Sequence, residues 1–199
     1  MILQAENIYK SFGNNQILKD LSFELEEGTI SGIVGENGSG KSTLLKILVG
    51  QWSPNKGKVT IFDKFGYCPQ QITLFQNLTV ENHFKYFAAA YGLENDEMHE
   101  QKNYLMEFYN FRKYLNHKVA HLSGGTAQKL NLCLSLIHSP KLLILDEPYS
   151  GFDWDTYLKF WDYVEKIIDE NCTILIVSHF ITERNKFDRI YKLENGRLL

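Results

Sequence analysis

The residues from Gly35 to Thr43 read GENGSGKST, types and a spacing suited to holding phosphate. Gly35 and Gly40 let the backbone turn sharply and approach a ligand closely. The N–H groups of such a loop point inward and cradle phosphate oxygens. A helix starting at its end offers its positive N-terminus to the same anion. Lys41 would reach the β- and γ-phosphates, and the Ser42 hydroxyl would ligate Mg²⁺. A second stretch, LLILDEP from Leu142 to Pro148, ends an apolar run in two adjacent acids. Asp146 at its tip would hold Mg²⁺ directly or through water, and Glu147 would orient or deprotonate the attacking water. A third stretch, LSGG from Leu122 to Gly125, sets a serine and two glycines before a helix start. That is a second anion site by the same physics.

Elements must position these groups. The pattern G-x-x-x-x-G-K-[ST], met by Gly35, Gly40, Lys41 and Ser42, is that of a P-loop, and it requires a strand before and a helix after. Ile30 to Val34 is a short apolar strand candidate. Leu44, Leu45, Ile47 and Leu48 begin a helix that Gly50 ends. Upstream, Leu21, Phe23 and Leu25 alternate with polar residues as in a half-buried strand, and Ser11 to Asn15 form a turn carrying Phe12. Val59 to Phe62 reads as a strand and Gly66 to Gln71 as a loop. Helices are expected over 80–91, 97–114 and 125–137. Leu142 to Leu145 and Thr173 to Val177 read as strands buried in a parallel sheet. Between them Asp153 N-caps a helix with an apolar stripe of Tyr157, Leu158, Trp161, Val164 and Ile168. Asn195-Gly196 turns a closing hairpin. The pattern is one α/β core interrupted by a mostly helical insertion.

Composition sets the remaining bounds. At 199 residues, 44% of them hydrophobic and 23% charged, the chain is long and apolar enough for a sizeable core. A net charge of −3 with no basic block gives no support to nucleic-acid binding. Cys68, Cys133 and Cys172 are too few and too scattered for a disulfide framework or a zinc site. The first residues, MILQAENIYK, lack the makings of a signal peptide, and no run of 18 apolar residues exists. The expected location is cytoplasmic, peripheral to the membrane only through a partner.

LSGG followed by Thr126-Ala127-Gln128, lying between a P-loop and an LDEP strand, resembles the signature motif of ATP-binding cassette (ABC) ATPases. The resemblance runs from about residue 2 to 199. It implies an α/β fold: a P-loop NTPase core of ABC type with N-terminal antiparallel strands and an inserted helical subdomain. The chain would be a single ABC ATPase domain, with 1–71 and 140–199 as the RecA-like core plus β lobe and 72–139 as the helical signature subdomain. It implies ATP and Mg²⁺ as cofactors. Phe12 falls where the family has a Tyr that stacks on adenine. The P-loop residues Gly35, Glu36, Asn37, Gly38, Ser39, Gly40, Lys41, Ser42 and Thr43 would hold the phosphates. Ser123, Gly124 and Gly125 would cap the γ-phosphate of ATP on the other subunit. Gln70 resembles the Q-loop glutamine that touches Mg²⁺ and water, with Gln71 adjacent as the alternative. Ser42, Gln70 and Asp146 would thus surround the metal. His179, in Val177-Ser178-His179, resembles the switch histidine, joining Glu147 and Gln70 as catalytic. There are two departures. Thr126 stands where Gln is commonest, which should alter local hydrogen bonds but not the contacts of Ser123 and Gly125. The segment from Gly57 to Gln70 is short, so a hairpin of the β lobe looks trimmed.

The resemblance implies the nucleotide-binding subunit of an ABC transporter. As an ATP-dependent homodimer or paralogue heterodimer it would power a separate transmembrane permease subunit, in a compact exporter-type system. The rival is a soluble ABC ATPase of DNA repair, chromosome organisation or translation. Against it, residues 43 to 122 carry no sustained heptads for a coiled coil, and one cassette is present rather than two. A small helical lobe can bury only some of Ile72, Leu74, Phe75, Leu78, Phe84, Tyr86, Phe87 and Tyr91, and the remainder would form an apolar groove beside Gln70 for the permease.

Overall fold

The computed structural model describes residues 1–71 and 73–199, which form two compact units. One comprises Met1–Tyr67, Lys141–Glu147 and Ile168–Leu199, the other Cys68–Pro140 and Pro148–Ile167.

In the first unit, β1 (Leu3–Phe12) and β2 (Asn15–Leu25) pair antiparallel. Leu21, Phe23 and Leu25 point into the core while Ser22, Glu24 and Glu26 are exposed, the period of two seen in the sequence. After β3 (Ile30–Val34) comes α1 (Lys41–Leu48), then β4 (Lys56–Ile61), which completes a three-stranded sheet in the order β2-β1-β4. β5 occupies Phe65–Cys68, where the sequence pattern indicates a loop. Gly66 and Pro69 obscure it, yet Gly66 and Cys68 are buried in alternation with half-buried Phe65 and Tyr67. A Gly-containing strand is tolerated at a sheet edge, and β5 lies at one.

β5 joins β6 (Leu142–Asp146), β7 (Thr173–Ser178), β8 (Arg189–Glu194) and β9 (Arg197–Leu198) in a six-stranded sheet of order β5-β6-β7-β3-β8-β9. β6, β7, β3 and β8 run parallel. β7 is buried at all six residues, so an unbroken apolar run is what a strand covered on both faces requires. β9 returns antiparallel through Asn195 and Gly196, both at positive φ as a tight hairpin turn demands. Leu3, Ile8, Leu18 and Leu25 of the antiparallel sheet, Leu44, Leu45 and Leu48 of α1, and Ile33, Ile144 and Leu175 of the parallel sheet share one core.

The second unit is helical. α2 (Val80–Tyr91) is N-capped by Thr79, whose side chain accepts from Asn82 N, and ends at Gly92 with φ of 71°. α3 (Asn95–Phe108) starts with a capping box between Glu94 and Glu97. It stops six residues short of the expected end: Asn110 takes φ of 51°, and a separate 3₁₀ turn covers Arg112–Tyr114. α4 (Gly124–Leu136) is buried nearly all round, and α5 (Trp154–Asp169) begins where Asp153 Oδ1 accepts from Thr156 N. The buried stripe of α5 is Phe160, Trp161, Tyr163, Val164 and Ile167; the Leu158 named in the sequence pattern is 45% exposed. The helix is rotated so that its larger ring, Phe160, is covered instead. Among the described residues no helix is long and apolar enough to cross a membrane.

Lys102 on α3 is buried and donates to both carboxylate oxygens of Glu81 on α2, at 3.0 and 2.8 Å. Burial pushes the Glu81 carboxyl up, but Lys102 and then Lys85 outweigh it and hold the group below its ordinary 4.5. The folded state therefore binds fewer protons here than the unfolded chain. This contribution is complete above the ordinary carboxylate range and fades as pH falls through the lowered folded value. Lys102→Met keeps the aliphatic stem and leaves the half-buried Glu81 carboxylate with its weaker Lys85 contact. It should cost about 1–2 kcal/mol near neutrality, with the gap to wild type narrowing below pH ~4. Urea unfolding across pH checks this, and a gap independent of pH would assign the loss to packing.

Candidate functional site

The chemistry-bearing residues of the first unit stand at the C-terminal ends of β3, β6 and β7, because parallel pairing aligns those ends. Val34 pairs with Ser178 and Asp146 with Val177. β3 runs into the Gly35–Gly40 loop, β6 into Glu147, and β7 into His179. Val34 and Ser178, 144 residues apart in sequence, thereby meet at one sheet edge.

The loop is shaped by two close approaches. A Cβ on Gly35 would lie 2.4 Å from Leu193 O and 2.7 Å from Ser39 Oγ. Gly40 has φ of 108° and stands at the N-cap of α1. It supplies no side-chain cap, and no acid occupies the first turn, so the amides there keep their positive end for an anion. Ser39 Oγ is buried and finds no hydrogen-bond partner among the described residues. These features fit a loop built around an anionic ligand.

Lys41 Nζ turns back on the loop. It donates to Gly35 O at 2.5 Å and Glu36 O at 3.1 Å, and stands 3.4 Å from His179 Nδ1. Burial pushes its pKa down, while Glu147 and Asp146 pull it back up. Glu147 Oε1 accepts from His179 N at 2.7 Å and Oε2 from Ser178 Oγ at 2.8 Å; His179 Nε2 is 3.7 Å from Oε1. A cation, a carboxylate and an imidazole thus surround one spot beside an anion cradle. Asp146 is half-buried at the end of β6, and Ser42 is exposed at the start of α1. Among the described residues no three His, Cys, Asp or Glu cluster as a metal cage. Mg²⁺ needs none, since one or two protein oxygens with phosphates and waters suffice for it. Ser42 and Asp146 fit that donor set.

Phe12 is 47% exposed at the end of β1, edge-on to Trp52 at 5.2 Å, with Lys10 Nζ 5.3 Å from its ring centre. Lys46 Nζ lies 4.4 Å from the Trp52 ring. Trp52 and Lys46 carry no motif, so nothing in the sequence singles them out. Ser178 has a faint signal: a hydroxyl closing the buried run TILIVS.

The remaining named residues belong to the second unit. Gln70 is exposed two residues beyond β5, and Pro69 O accepts from Asn131 Nδ2 of α4 at 3.0 Å, which fixes the approach to Gln70. Ser123 N-caps α4, accepting from Thr126 N at 3.3 Å, and its hydroxyl lies 2.9 Å from Thr126 Oγ1. Thr126 therefore shares a local hydrogen bond with the Ser123 hydroxyl.

The family described as "ABC transporter" matches residues 18–150. An ABC transporter ATP-binding protein of Methanocaldococcus jannaschii, MJ1023, is 33% identical over 98% of this chain and 75% of its own length. The linearmycin resistance ATP-binding protein LnrL of Bacillus subtilis is 30% identical over 100% of this chain and 68% of its own. Among solved structures, the dimeric bacterial ABC transporter cassette MJ0796 superposes with a TM-score of 0.89 at 26% identity, covering 99% of this chain and 96% of that one. The chain spans only about a third of the length of the first curated relatives it matches.

Gly35→Ala should preserve the sheet but force the loop away from Leu193 O. A fluorescent nucleotide titration is expected to show affinity at least about ten-fold weaker, the equivalent of ~1.4 kcal/mol. Unchanged affinity would mean that the loop does not hold the phosphates.

Proposed function

The chain belongs to the ABC transporter family, and on that premise we propose that it binds and hydrolyses ATP to power a separate membrane-spanning partner. The observation that carries the reading is the cluster of Lys41, Glu147 and His179 at an uncapped helix start. Residues 1–199 act as one ABC ATPase domain, with core segments 1–71 and 140–199 and the helical signature subdomain over 72–139.

Each group has a task. The loop amides and Lys41 hold the polyphosphate, and Phe12 stacks on the base. Ser42 and Asp146, with Gln70, would hold Mg²⁺, which would supply positive charge to the phosphates. Glu147 orients the attacking water and takes its proton, and His179 steadies the terminal phosphate. Ser123, Gly124 and Gly125 serve the nucleotide of a second subunit, so a lone chain carries half of each site. The MJ0796 cassette is dimeric, and the same assembly is the reading adopted for this chain, as a homodimer or with a paralogue. The site is cytoplasmic, held at the membrane by the permease. The name of LnrL, a resistance protein, favours an exporter-type role. The soluble repair or chromosome reading finds no support, because among the described residues between 43 and 122 the longest helix is the 14-residue α3, far too short for a coiled-coil arm.

Glu147→Gln keeps the side chain's shape and removes the proton acceptor. Single-turnover hydrolysis should fall at least about 100-fold, the scale of general-base catalysis, while ATP drives the variant to dimerise by mass action. Sedimentation with and without ATP reads the second outcome. Hydrolysis within a few-fold of wild type would remove Glu147 from the role of base.

The permease is proposed to dock on aromatics of the second unit. Of the residues named for the groove, Leu74 and Phe84 are among those buried, and Ile72 lies outside the described residues. What stays at the surface is a chain of rings. Phe75 is 48% exposed and meets Tyr86 edge-on at 5.2 Å; Tyr86 reaches Phe87, and Phe87 reaches Tyr91. An exposed apolar cluster of this kind marks an interaction site. Phe75→Glu should abolish co-purification with the membrane partner and leave ATP binding intact. Wild-type yield of the complex would place the coupling surface elsewhere.

A further inference from the structure

Glu147 leaves β6 with φ of 48°, a left-handed conformation that costs a residue with a side chain about 1–2 kcal/mol. Such a residue persists where its surroundings over-determine it, and two donors from β7 do so here. His179 N holds Oε1 at 2.7 Å, and Ser178 Oγ holds Oε2 at 2.8 Å. The two donors are not equivalent. The terminal torsion of a glutamate is broad and weakly preferred, so one hydrogen bond leaves the carboxylate plane to swing about it. A second donor on the other oxygen fixes the plane.

Ser178 is placed for this by strand register. Asp146 pairs with Val177 on parallel strands, so the next residues out, Glu147 and Ser178, stand side by side. Ser178 is 2% exposed. Packing there asks only for a small side chain, which alanine would supply. A hydroxyl without a partner at that depth would carry a desolvation penalty, and the carboxylate of Glu147 is the partner it meets.

We propose that Ser178 is a positioning residue for Glu147: its hydroxyl donates to the carboxylate and fixes the plane in which the base faces the water. The proposal rests on the reading of Glu147 as the base. It predicts an effect on the chemical step and none on nucleotide capture, since the Ser178 hydroxyl is engaged by Glu147 rather than by Lys41 or the loop.

The test is steady-state ATP hydrolysis by the full chain as wild type, Ser178→Ala, Ser178→Thr, Glu147→Ala and the double variant Ser178→Ala/Glu147→Ala. Loss of one hydrogen bond to a charged group should lower kcat about ten-fold, with KM for ATP unchanged within about two-fold. Ser178→Thr keeps the hydroxyl and should restore most of kcat, which separates the lost bond from a misfolded strand. In the Glu147→Ala background, Ser178→Ala should have no further effect on the residual rate, because nothing is left to position. A kcat for Ser178→Ala equal to or above wild type, or the same fold-loss with and without Glu147, overturns the proposal. If Glu147→Ala itself hydrolyses ATP at near the wild-type rate, the base reading fails and takes the proposal with it. An inactive Glu147→Ala beside a fully active Ser178→Ala sinks the positioning role alone.

Discussion

Parallel pairing of β3, β6 and β7 is the constraint on which the rest depends. Parallel strands cannot be joined by tight turns, so each must end at the same edge and hand its chain to a crossover. The loop and two of the acting side chains begin at the first residue past such an end: Gly35 after Val34, Glu147 after Asp146, His179 after Ser178. A slip of two residues in the β6–β7 register would move Glu147 by about 7 Å and break both of its hydrogen bonds. The buried, unbroken apolar runs of these strands exclude the slip, since Asp146 would then be drawn into the sheet.

Much of this was legible in the sequence, because the chemistry needs fixed residue types at fixed spacings. GENGSGKST specifies a backbone path, and the strand and helix it requires follow on either side. LLILDEP announces a strand covered on both faces with charge at its tip. Legibility failed where tertiary placement overrides local signals. Gly66 and Pro69 read as loop punctuation, yet the sheet edge accepts Phe65–Cys68 as a strand. The helical pattern through Phe108, Phe111 and Tyr114 conceals a break, because Phe111 is buried by a turn rather than by a continuing helix.

Within the site, groups acting directly were easier to find than those that support them. Lys41, Glu147 and His179 stand in recognisable strings. Ser178 does not, because one hydroxyl at a strand end has many uses until a register sets it against a carboxylate. Asn131 is a similar case: mid-helix on α4, it shows its purpose only when its amide is found on Pro69 O. Thr126 is the reverse, an unusual letter in a familiar string whose consequence, contact with the Ser123 hydroxyl, appears only in three dimensions.

The inward turn of Lys41 bears on how the loop keeps its shape. Its ammonium has two carbonyl oxygens, Gly35 O and Glu36 O, as acceptors. Lys41 is the first residue of α1 and Gly35 the first of the loop, so one side chain ties the two ends of the cradle together. The curvature of the loop is thus held by a tether from the helix as well as by its glycines.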